Sequence, residues 1–252
     1  MTITSVSMTL VVPMYNEERR VGDCALPLIN FVENWSSDSR LIFVDDGSSD
    51  ATVEKLNVII DESGSKRVSV LRRPHEGKGS ALRSGLLRAD TELAGFCDLD
   101  LATPLGELQR LFATSYSHDA LVIGSRSHAD AQLLRRESKK RELAGRAFNR
   151  FVQMLLCPGI RDTQCGAKVA PSRIWHRILL DSQENGFAWD VEVIAAALWA
   201  GIRVLEMGVR WSHDERSKVN VSRDGVSMVL AVMKLKSRQL TRGRSRVVAA
   251  GP

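Results

Sequence analysis

Apolar and polar positions alternate along the chain in blocks that predict strands followed by helices. In the first half, short apolar runs that end on polar residues predict five strands, at 8–13, 41–44, 68–71, 96–98 and 121–124. Helical spacing predicts a helix from Glu17 to Trp35 interrupted near Pro27, a second over 50–60 and a third from Ser80. This alternation is typical of a wound α/β sheet with helices on its faces.

The pattern changes after Arg126. The predicted elements there are a basic amphipathic helix over 141–156, a loop and strand over 159–169, a helix over 189–200, a late strand over 204–211 and a closing helix over 225–240. Four apolar residues of the closing helix share one face: Val226, Val229, Leu230 and Met233. Because no internal repeat or low-complexity linker divides the chain, we predict a single domain.

The composition agrees with one cytoplasmic domain. A chain of 252 residues lies within the range in which α/β folds stay undivided and bury a sizeable core. The longest apolar stretches, such as 193–200, are too short to cross a bilayer, and the N-terminus has the pattern of a strand rather than a signal peptide. The four cysteines lack C-x-x-C spacing, which predicts reduced thiols and no structural zinc.

The net charge of +5 is unevenly distributed. Residues 135–150 include seven Lys or Arg against two Glu, and residues 234–246 include six with no acid. Such clusters favour an anionic partner, either nucleotide phosphates or a lipid phosphate and membrane surface. Solvated helix faces are the alternative explanation. Nucleic acid is disfavoured as a partner because the clusters lack interleaved aromatic residues.

Asp98 and Asp100 stand one residue apart at the end of an apolar run, 93–97. Residues i and i+2 of a strand share a face, so both carboxylates are expected to point the same way. At the carboxyl edge of an open α/β sheet, where ligands bind, such a pair suits a divalent ion and a diphosphate. An isolated D-x-D also occurs in solvated loops, so the hypothesis depends on the other strand ends.

The first two strands also end on polar residues. Tyr15, just after Pro13, can cover one face of a base or ribose, and Glu17 can accept hydrogen bonds from hydroxyl or base N–H groups. Asp45 and Asp46 follow the second strand, where a carboxylate can pair with a base N–H. A helix start and ordinary turn chemistry account for the same residues, so both interpretations stay open at this point.

Lys78 lies between two glycines, Gly77 and Gly79, just before the helix predicted from Ser80. Free backbone N–H groups at a helix start, together with one ammonium group, would form an anion site. The spacing does not match a Walker loop, so the phosphates would belong to a ligand bound in another way. A plain glycine-rich turn is the alternative.

These strand-end groups, in this order and spacing, resemble the GT-A fold of family 2 glycosyltransferases. The second half adds the runs G-S-R at 124–126, G-I-R-D-T-Q-C-G at 159–166, A-W-D-V-E at 188–192, Trp211, and S-K at 217–218. The whole set, from about Leu10 to Asp224, is similar to the dolichyl-phosphate or polyprenyl-phosphate β-glucosyltransferase group and, more loosely, to dolichyl-phosphate mannose synthase. The resemblance implies an α/β GT-A fold with a Rossmann-like nucleotide-binding half and a mixed, mainly parallel sheet flanked by helices.

Within the single domain, 1–252, the resemblance implies a nucleotide-sugar-binding half at about 8–102 and an acceptor half at about 103–224. A basic C-terminal helix and tail, 225–252, follow these halves.

The resemblance also implies roles for individual residues. The nucleoside would be held by Pro13, Tyr15, Glu17 and the strand-end acids Asp45 and Asp46, and Lys78 would approach the diphosphate. Asp98 would contact the nucleotide sugar and the metal, and Asp100 would bind Mg²⁺ or Mn²⁺. Phosphate groups at the reacting centre would be gripped by Arg126 and Arg141, and Lys218 would close over the donor. The mannose synthases have Gln two residues after the second Asp, where this chain has Ala102.

The function implied is inverting, metal-dependent transfer of a hexose from a nucleotide sugar to a polyprenyl or dolichyl phosphate. UDP-glucose is the favoured donor and GDP-mannose the other candidate. A phosphate acceptor is already anionic, so Asp162, Asp190 and Glu192 are expected to form structural hydrogen bonds rather than to act as bases. The predicted location is the cytoplasm, with peripheral contact at the inner face of an anionic membrane or with a membrane partner.

Two other classes of function stay open. A soluble glycosyltransferase that decorates a small-molecule hydroxyl is supported by the missing hydrophobic anchor, and such an acceptor would need a base. A non-catalytic anion-binding module would have acidic loops that are only turns.

Overall fold

The protein is described by a computed structural model that covers residues 3–135, 138–213 and 221–249. Its strands are β1 (Met8–Met14), β2 (Arg40–Asp45), β3 (Val68–Arg72), β4 (Leu93–Cys97), β5 (Leu121–Ser125), β6 (Gln132–Arg135), β7 (Ala167–Pro171), β8 (Val204–Gly208) and β9 (Arg210–Ser212). Its helices are α1 (Val21–Glu33), α2 (Thr52–Ser63), α3 (Lys78–Leu86), α4 (Leu105–His118), α5 (Lys139–Leu155), α6 (Ser172–Leu179), α7 (Trp189–Trp199) and α8 (Val221–Ala249).

Seven strands form one mixed sheet in the order β3-β2-β1-β4-β7-β5-β8, and β6 pairs with β9 in a second sheet. Within the large sheet β7 is antiparallel to both of its neighbours, and the other pairs are parallel. The carboxyl ends of β1, β2, β4 and β5 therefore lie at the same edge, and β7 begins there. The residues that follow these strands are those for which the sequence predicted a ligand site.

Helices cover both faces of the large sheet. On one face β-strand side chains such as Phe96 pack with residues of α3, α6 and α7, including Trp175 and Trp189, whose rings stack 6.2 Å apart. On the other face α1, α2 and α4 supply Leu28, Leu56 and Leu111. Because both faces are buried, the central strands are nearly continuous apolar runs, as expected of a largely parallel sheet.

The structure differs from the predicted elements in several places. Helix α1 begins at Val21 and continues through Pro27 without interruption. Pro27 and Asp23, whose carbonyl would otherwise accept the missing N–H, both lie on the exposed face, where water can satisfy that carbonyl. Helices α4 and α6 and strand β6 were not predicted, and the late strand is divided at Val209 into β8 and β9.

The closing helix is longer than predicted, and the apolar face predicted for it is exposed rather than buried. Val226, Val229, Leu230 and Met233 share one face, but all four side chains are exposed. The buried face consists instead of Val232 and Leu235. Within the described ranges, no helix combines the length and apolar character needed to span a membrane.

Candidate functional site

The centre of the candidate site is an ion pair between Lys78 and Asp98. Asp98 follows β4 and Lys78 is the first residue of α3, and their Nζ and Oδ1 atoms are 2.5 Å apart. Burial alone would lower the pKa of Lys78, but the Asp98, Asp190 and Asp100 carboxylates outweigh it and raise the pKa above its usual value. Lys78 therefore remains a cation at neutral pH at the carboxyl edge of the sheet.

Asp100 lies in the same electrostatic environment. Its Oδ1 accepts a hydrogen bond from Ala102 N at 3.0 Å, in a turn where Leu101 has a φ of 51°. Burial, followed by the negative charge of Asp98, raises the pKa of Asp100, while Lys78 and Arg20 oppose the increase. Arg20 is a buried cation near Asp100 that was not predicted from the sequence.

Gly166 determines where the Asp98 carboxylate can lie. Gly166 O accepts a hydrogen bond from Asp98 N at 3.1 Å, just before β7. A Cβ atom at residue 166 would overlap the Asp98 carboxylate. Only glycine at position 166 leaves the Asp98 carboxylate in its observed place. The run G-I-R-D-T-Q-C-G at 159–166 was noted in the sequence, but this reason for its last glycine was not predicted.

Asp46 anchors the segment that precedes Lys78. Its carboxylate accepts hydrogen bonds from Glu76 N at 3.0 Å and Gly77 N at 2.8 Å, and it lies 2.8 Å from His75 Nδ1. The neighbouring Asp45 accepts from the backbone at Ser48. In this structure both acids are bound to loops that shape the site.

One part of the anion-site prediction is wrong. The backbone N–H groups of Gly79 and Ser80 at the start of α3 are not free, because both donate to Asn185 O, at 2.7 and 3.2 Å. A ligand phosphate would therefore be met by the Lys78 ammonium rather than by these two amides.

The predicted nucleoside-binding residues lie at the ends of β1 and β2. Pro13 is in β1, opposite Val44, and the ring of the half-exposed Tyr15 stacks on His75 with centroids 4.0 Å apart. Glu17 N donates to Thr52 Oγ1 at 2.6 Å. His75 Nδ1 lies 2.8 Å from the Asp46 carboxylate, so the stacked rings form an aromatic surface next to Asp46 at the edge of the sheet.

Arg126 is held by Asp162 in a two-point ion pair. Arg126 Nε and Nη2 donate to the two carboxylate oxygens at 2.7 and 2.9 Å, and the guanidinium lies 5.3 Å from the centre of the Trp211 ring. Burial on its own would raise the pKa of Asp162, but Arg126 and backbone hydrogen bonds lower it to about 2. The carboxylate of Asp162 thus fixes the guanidinium and stays ionised.

The structure gives less information about the other two predicted site cations, Arg141 and Lys218. Arg141 lies in the first turn of α5, where its backbone N donates to Ser138 Oγ at 3.4 Å. Lys218 lies outside the described residues.

The two acids of α7 are both engaged by protein groups. Asp190 is buried and forms an ion pair with the fully buried Lys168, which also donates to Cys165 O at 2.8 Å. Glu192 accepts hydrogen bonds from residues 182–184. The expectation that these acids form structural hydrogen bonds agrees with this geometry.

The donor set fits a divalent ion that is only partly coordinated by protein. Among residues 3–135, 138–213 and 221–249, no group of three or more His, Cys, Asp or Glu side chains could hold a metal. Asp98 and Asp100 supply two carboxylates, and Mg²⁺ is commonly held by one or two carboxylates with substrate phosphates and water completing its shell. The same carboxylates, next to Lys78, can hold a metal–diphosphate unit.

The arrangement defines a class of protein: an α/β enzyme of the GT-A fold, with the candidate site at the carboxyl edge of the sheet. The chain belongs to glycosyl transferase family 2, which it matches over residues 9–179, and it is a glycosyltransferase.

Curated relatives with the same name come from several organisms. The chain is 28% identical to a dolichyl-phosphate beta-glucosyltransferase of Dictyostelium discoideum, over 94% of this chain and 76% of the relative. It is 30% identical to the proteins of that name from Drosophila melanogaster, over 85% and 70%, and Homo sapiens, over 84% and 69%.

A solved structure confirms the GT-A fold. Glucosyl-3-phosphoglycerate synthase from Mycobacterium tuberculosis, in complex with Mn²⁺, uridine diphosphate and glucosyl-3-phosphoglycerate, has a TM-score of 0.64 at 18% identity. The alignment covers 92% of this chain and 81% of that one. At this identity the likeness supports the fold alone.

Proposed function

We propose that the protein transfers glucose from UDP-glucose to the phosphate of a polyprenyl or dolichyl phosphate, with inversion at the anomeric carbon and with Mg²⁺ or Mn²⁺. The observation that supports this most directly is the Lys78–Asp98 ion pair beside Asp100 at the sheet edge. The dolichyl-phosphate beta-glucosyltransferase relatives supply the choice of sugar and acceptor. A metal complex of uridine diphosphate in a protein of the same fold supports the choice of cofactor.

In the proposed reaction, negative charge develops on the departing diphosphate. Lys78 is positioned to neutralise part of it, and Arg126, oriented by Asp162, is assigned to phosphate at the reacting centre. A divalent ion held by Asp98 and Asp100 would supply further charge neutralisation. The aromatic surface of Tyr15 and His75, next to Asp46, is assigned to the nucleoside.

The acceptor needs no base in this scheme. A phosphate monoester, with a second pKa of about 6, is already anionic at neutral pH and can attack the anomeric carbon directly. This agrees with the burial of Asp190 and its ion pair with Lys168. Direct attack opposite the leaving group inverts the centre, so an α-linked donor gives a β-linked product.

A panel of sugar nucleotides tests the proposal. UDP-glucose, UDP-galactose, GDP-mannose and GDP-glucose are each incubated with the full chain, a short polyprenyl phosphate and Mg²⁺ or Mn²⁺. We expect a hexosyl phosphate lipid from UDP-glucose, detected by mass spectrometry, with a β-anomeric signal by NMR. A product from GDP-mannose alone would refute the donor, and an α-linked product would refute inversion.

Transfer to a small-molecule hydroxyl is the alternative reaction, and it makes a different prediction for Asp190→Asn. A hydroxyl acceptor needs a base, so this variant would lose turnover while still binding UDP. If the proposed reaction is correct, Asp190→Asn should be less stable than the unaltered protein, because Lys168 is left buried without its counter-ion. Its turnover per folded molecule should persist. Measuring UDP affinity and single-turnover rate on the folded fraction separates the two reactions.

We also propose that α8 lies on an anionic membrane surface when the lipid acceptor is used. Its exposed apolar stripe comprises Val226, Val229, Leu230, Met233 and Leu240. At 3.6 residues per turn, Lys234 and Lys236 flank this stripe on opposite sides. Apolar side chains between flanking lysines are typical of helices that lie in a bilayer interface, where each nearby cation contributes about 1 kcal/mol.

Vesicle sedimentation tests the membrane proposal. We expect binding to vesicles of phosphatidylglycerol and phosphatidylcholine at low salt, weaker binding at high salt, and a loss of binding for Leu230→Ser. Val58→Ser is the matched control, since Val58 is a comparably exposed apolar residue on α2. Equal sedimentation of all three proteins, or no binding by the unaltered chain, would refute α8 as the contact surface.

A further inference from the structure

The loop of residues 182–185 covers the start of α3. Its Asn185 carbonyl accepts hydrogen bonds from Gly79 N and Ser80 N at 2.7 and 3.2 Å. These are two of the N–H groups that an α-helix leaves without internal partners at its N-terminus. Because Gly79 and Ser80 immediately follow Lys78, the loop helps to fix the backbone from which the Lys78 side chain extends.

Side-chain hydrogen bonds from α3 to the loop strengthen this attachment. Arg83 of α3 donates to Asn185 Oδ1 at 2.7 Å and to Glu184 O at 3.1 Å. At Gly77, which has a φ of 110°, a Cβ atom would lie 2.5 Å from Asn185 O. The loop and the helix start are therefore in close contact, and a displacement of one would move the other.

Glu192 holds the loop from the other side. Its Oε2 atom accepts from Ser182 Oγ at 2.6 Å and from Glu184 N at 3.0 Å, and Oε1 accepts from Gln183 N at 3.0 Å. Arg238 of α8 approaches Oε1 at 3.5 Å. Glu192 is 4% exposed, so these charge-assisted hydrogen bonds are largely screened from water.

We propose that Glu192 is a positioning residue for the diphosphate of the donor, acting through the 182–185 loop and the start of α3 on Lys78. This inference rests on the proposed function, because it takes the diphosphate as the partner of Lys78. It assigns Glu192 a role in donor affinity rather than in proton transfer. Through Arg238, α8 is connected to the same residue.

Binding of UDP in the presence of Mn²⁺, measured by calorimetry on the full chain, tests the proposal. Glu192→Gln keeps the size of the side chain but places an NH₂ group against backbone N–H or hydroxyl donors of the loop. We expect UDP affinity to fall about 10-fold, the lower end of what the loss of a supporting hydrogen bond costs at ligand sites. In a Lys78→Ala background the same substitution should cost less than about 2-fold, because the residue through which it acts is gone.

Two further variants complete the test. Glu107→Gln is the matched control, since Glu107 is an equally buried glutamate bound to Arg110 and Arg210, and its UDP affinity should be unchanged. Ser182→Ala removes one donor to Glu192 without changing charge, together with the acceptor of the Trp189 indole N–H. It should weaken UDP binding about 3-fold, and it provides a test that does not require Glu192→Gln to fold.

The outcomes separate the inference from the proposed function. If UDP does not bind the unaltered chain, both are overturned. If Lys78→Ala weakens UDP binding but Ser182→Ala and any folded Glu192→Gln do not, only the role of Glu192 is overturned. An equal loss for Glu192→Gln with and without Lys78 would show that it acts by another route, and this also refutes the inference.

Discussion

Gly166→Ala should impair the candidate site without unfolding the protein. The added methyl group would overlap the Asp98 carboxylate, whose Cγ and oxygens are the atoms nearest to that position. Gly166 has no positive φ, so alanine can adopt the same backbone conformation. The strain should be relieved by rotation of the Asp98 side chain away from residue 166.

The expected magnitude follows from the contact that the Asp98 carboxylate would make with the metal and the diphosphate in the proposed function. A hydrogen bond to a charged group contributes about 1.5–3 kcal/mol, and rotation of Asp98 would remove one contact of that kind from the bound ligand. Losing the correct carboxylate position should therefore weaken binding of UDP with Mn²⁺ by about 10- to 150-fold. The melting temperature should fall by about 2–4 °C for each kcal/mol lost with the Lys78–Asp98 ion pair, while the backbone hydrogen bond from Asp98 N to Gly166 O can persist.

Calorimetric titration of UDP with Mn²⁺, together with thermal unfolding, measures both quantities. Gly22→Ala is the control, because a Cβ atom at this position in α1 meets no atom within 4 Å. It should leave UDP affinity unchanged and stabilise the helix by about 0.5–1 kcal/mol. Unaltered UDP affinity in Gly166→Ala would refute the argument that this glycine positions Asp98.

Three other predictions follow from the same structure. Arg126→Lys should reduce transfer at least 10-fold while UDP affinity changes less, since lysine cannot reproduce the two-point contact with Asp162; steady-state kinetics with acceptor varied checks this. The lowered pKa of Asp162 corresponds to about 2 kcal/mol of unfolding free energy, which is present above pH 4 and is lost as the pH falls towards 2. Urea unfolding of Asp162→Asn should therefore show a smaller decrease in unfolding free energy between pH 4 and pH 2 than the unaltered protein. Trp175→Ala should cost about 3–5 kcal/mol in urea unfolding, because the indole is fully buried and donates to Ala94 O.

The sequence predicted the first half of the sheet well because each strand there is a short, mainly apolar run that ends on polar residues. β1, β2, β3 and β5 lie within one or two residues of their predicted limits, and β4 begins earlier than predicted, at Leu93. Helix α4 was missed although Leu108, Leu111, Phe112 and Ser115 have helical spacing, so the signal was present. Strand β6 has mostly exposed residues and no alternation, and its pairing with β9 determines it.

For the candidate site, the contacts that the sequence did not predict are tertiary contacts between distant segments. The sequence placed Asp98 and Asp100 together, but alternation within a strand is not the reason, because β4 ends at Cys97 and both acids lie in the turn that follows it. Glycines next to Lys78 marked a turn before α3. The convergence of Gly166 and the 182–185 loop on these residues could not be predicted, because it depends on how distant segments pack. Even the free amides expected at the start of α3 are occupied by a carbonyl more than one hundred positions later in the chain.

The distribution of charge in the site bears on the kind of acceptor that it suits. Asp162 is bound to Arg126 and Asp190 to Lys168, so each of these buried acids has its negative charge compensated by a protein cation. The Asp98 and Asp100 carboxylates lie near two cations: Lys78, which contacts Asp98, and Arg20, which is itself paired with Glu17. These three acids and two cations leave an excess of negative charge that a divalent ion would neutralise. An acceptor that arrives with its own negative charge needs no base, and the Arg126 guanidinium, although paired with Asp162, is held in place at the same sheet edge. The arrangement therefore favours a phosphate nucleophile over a neutral hydroxyl.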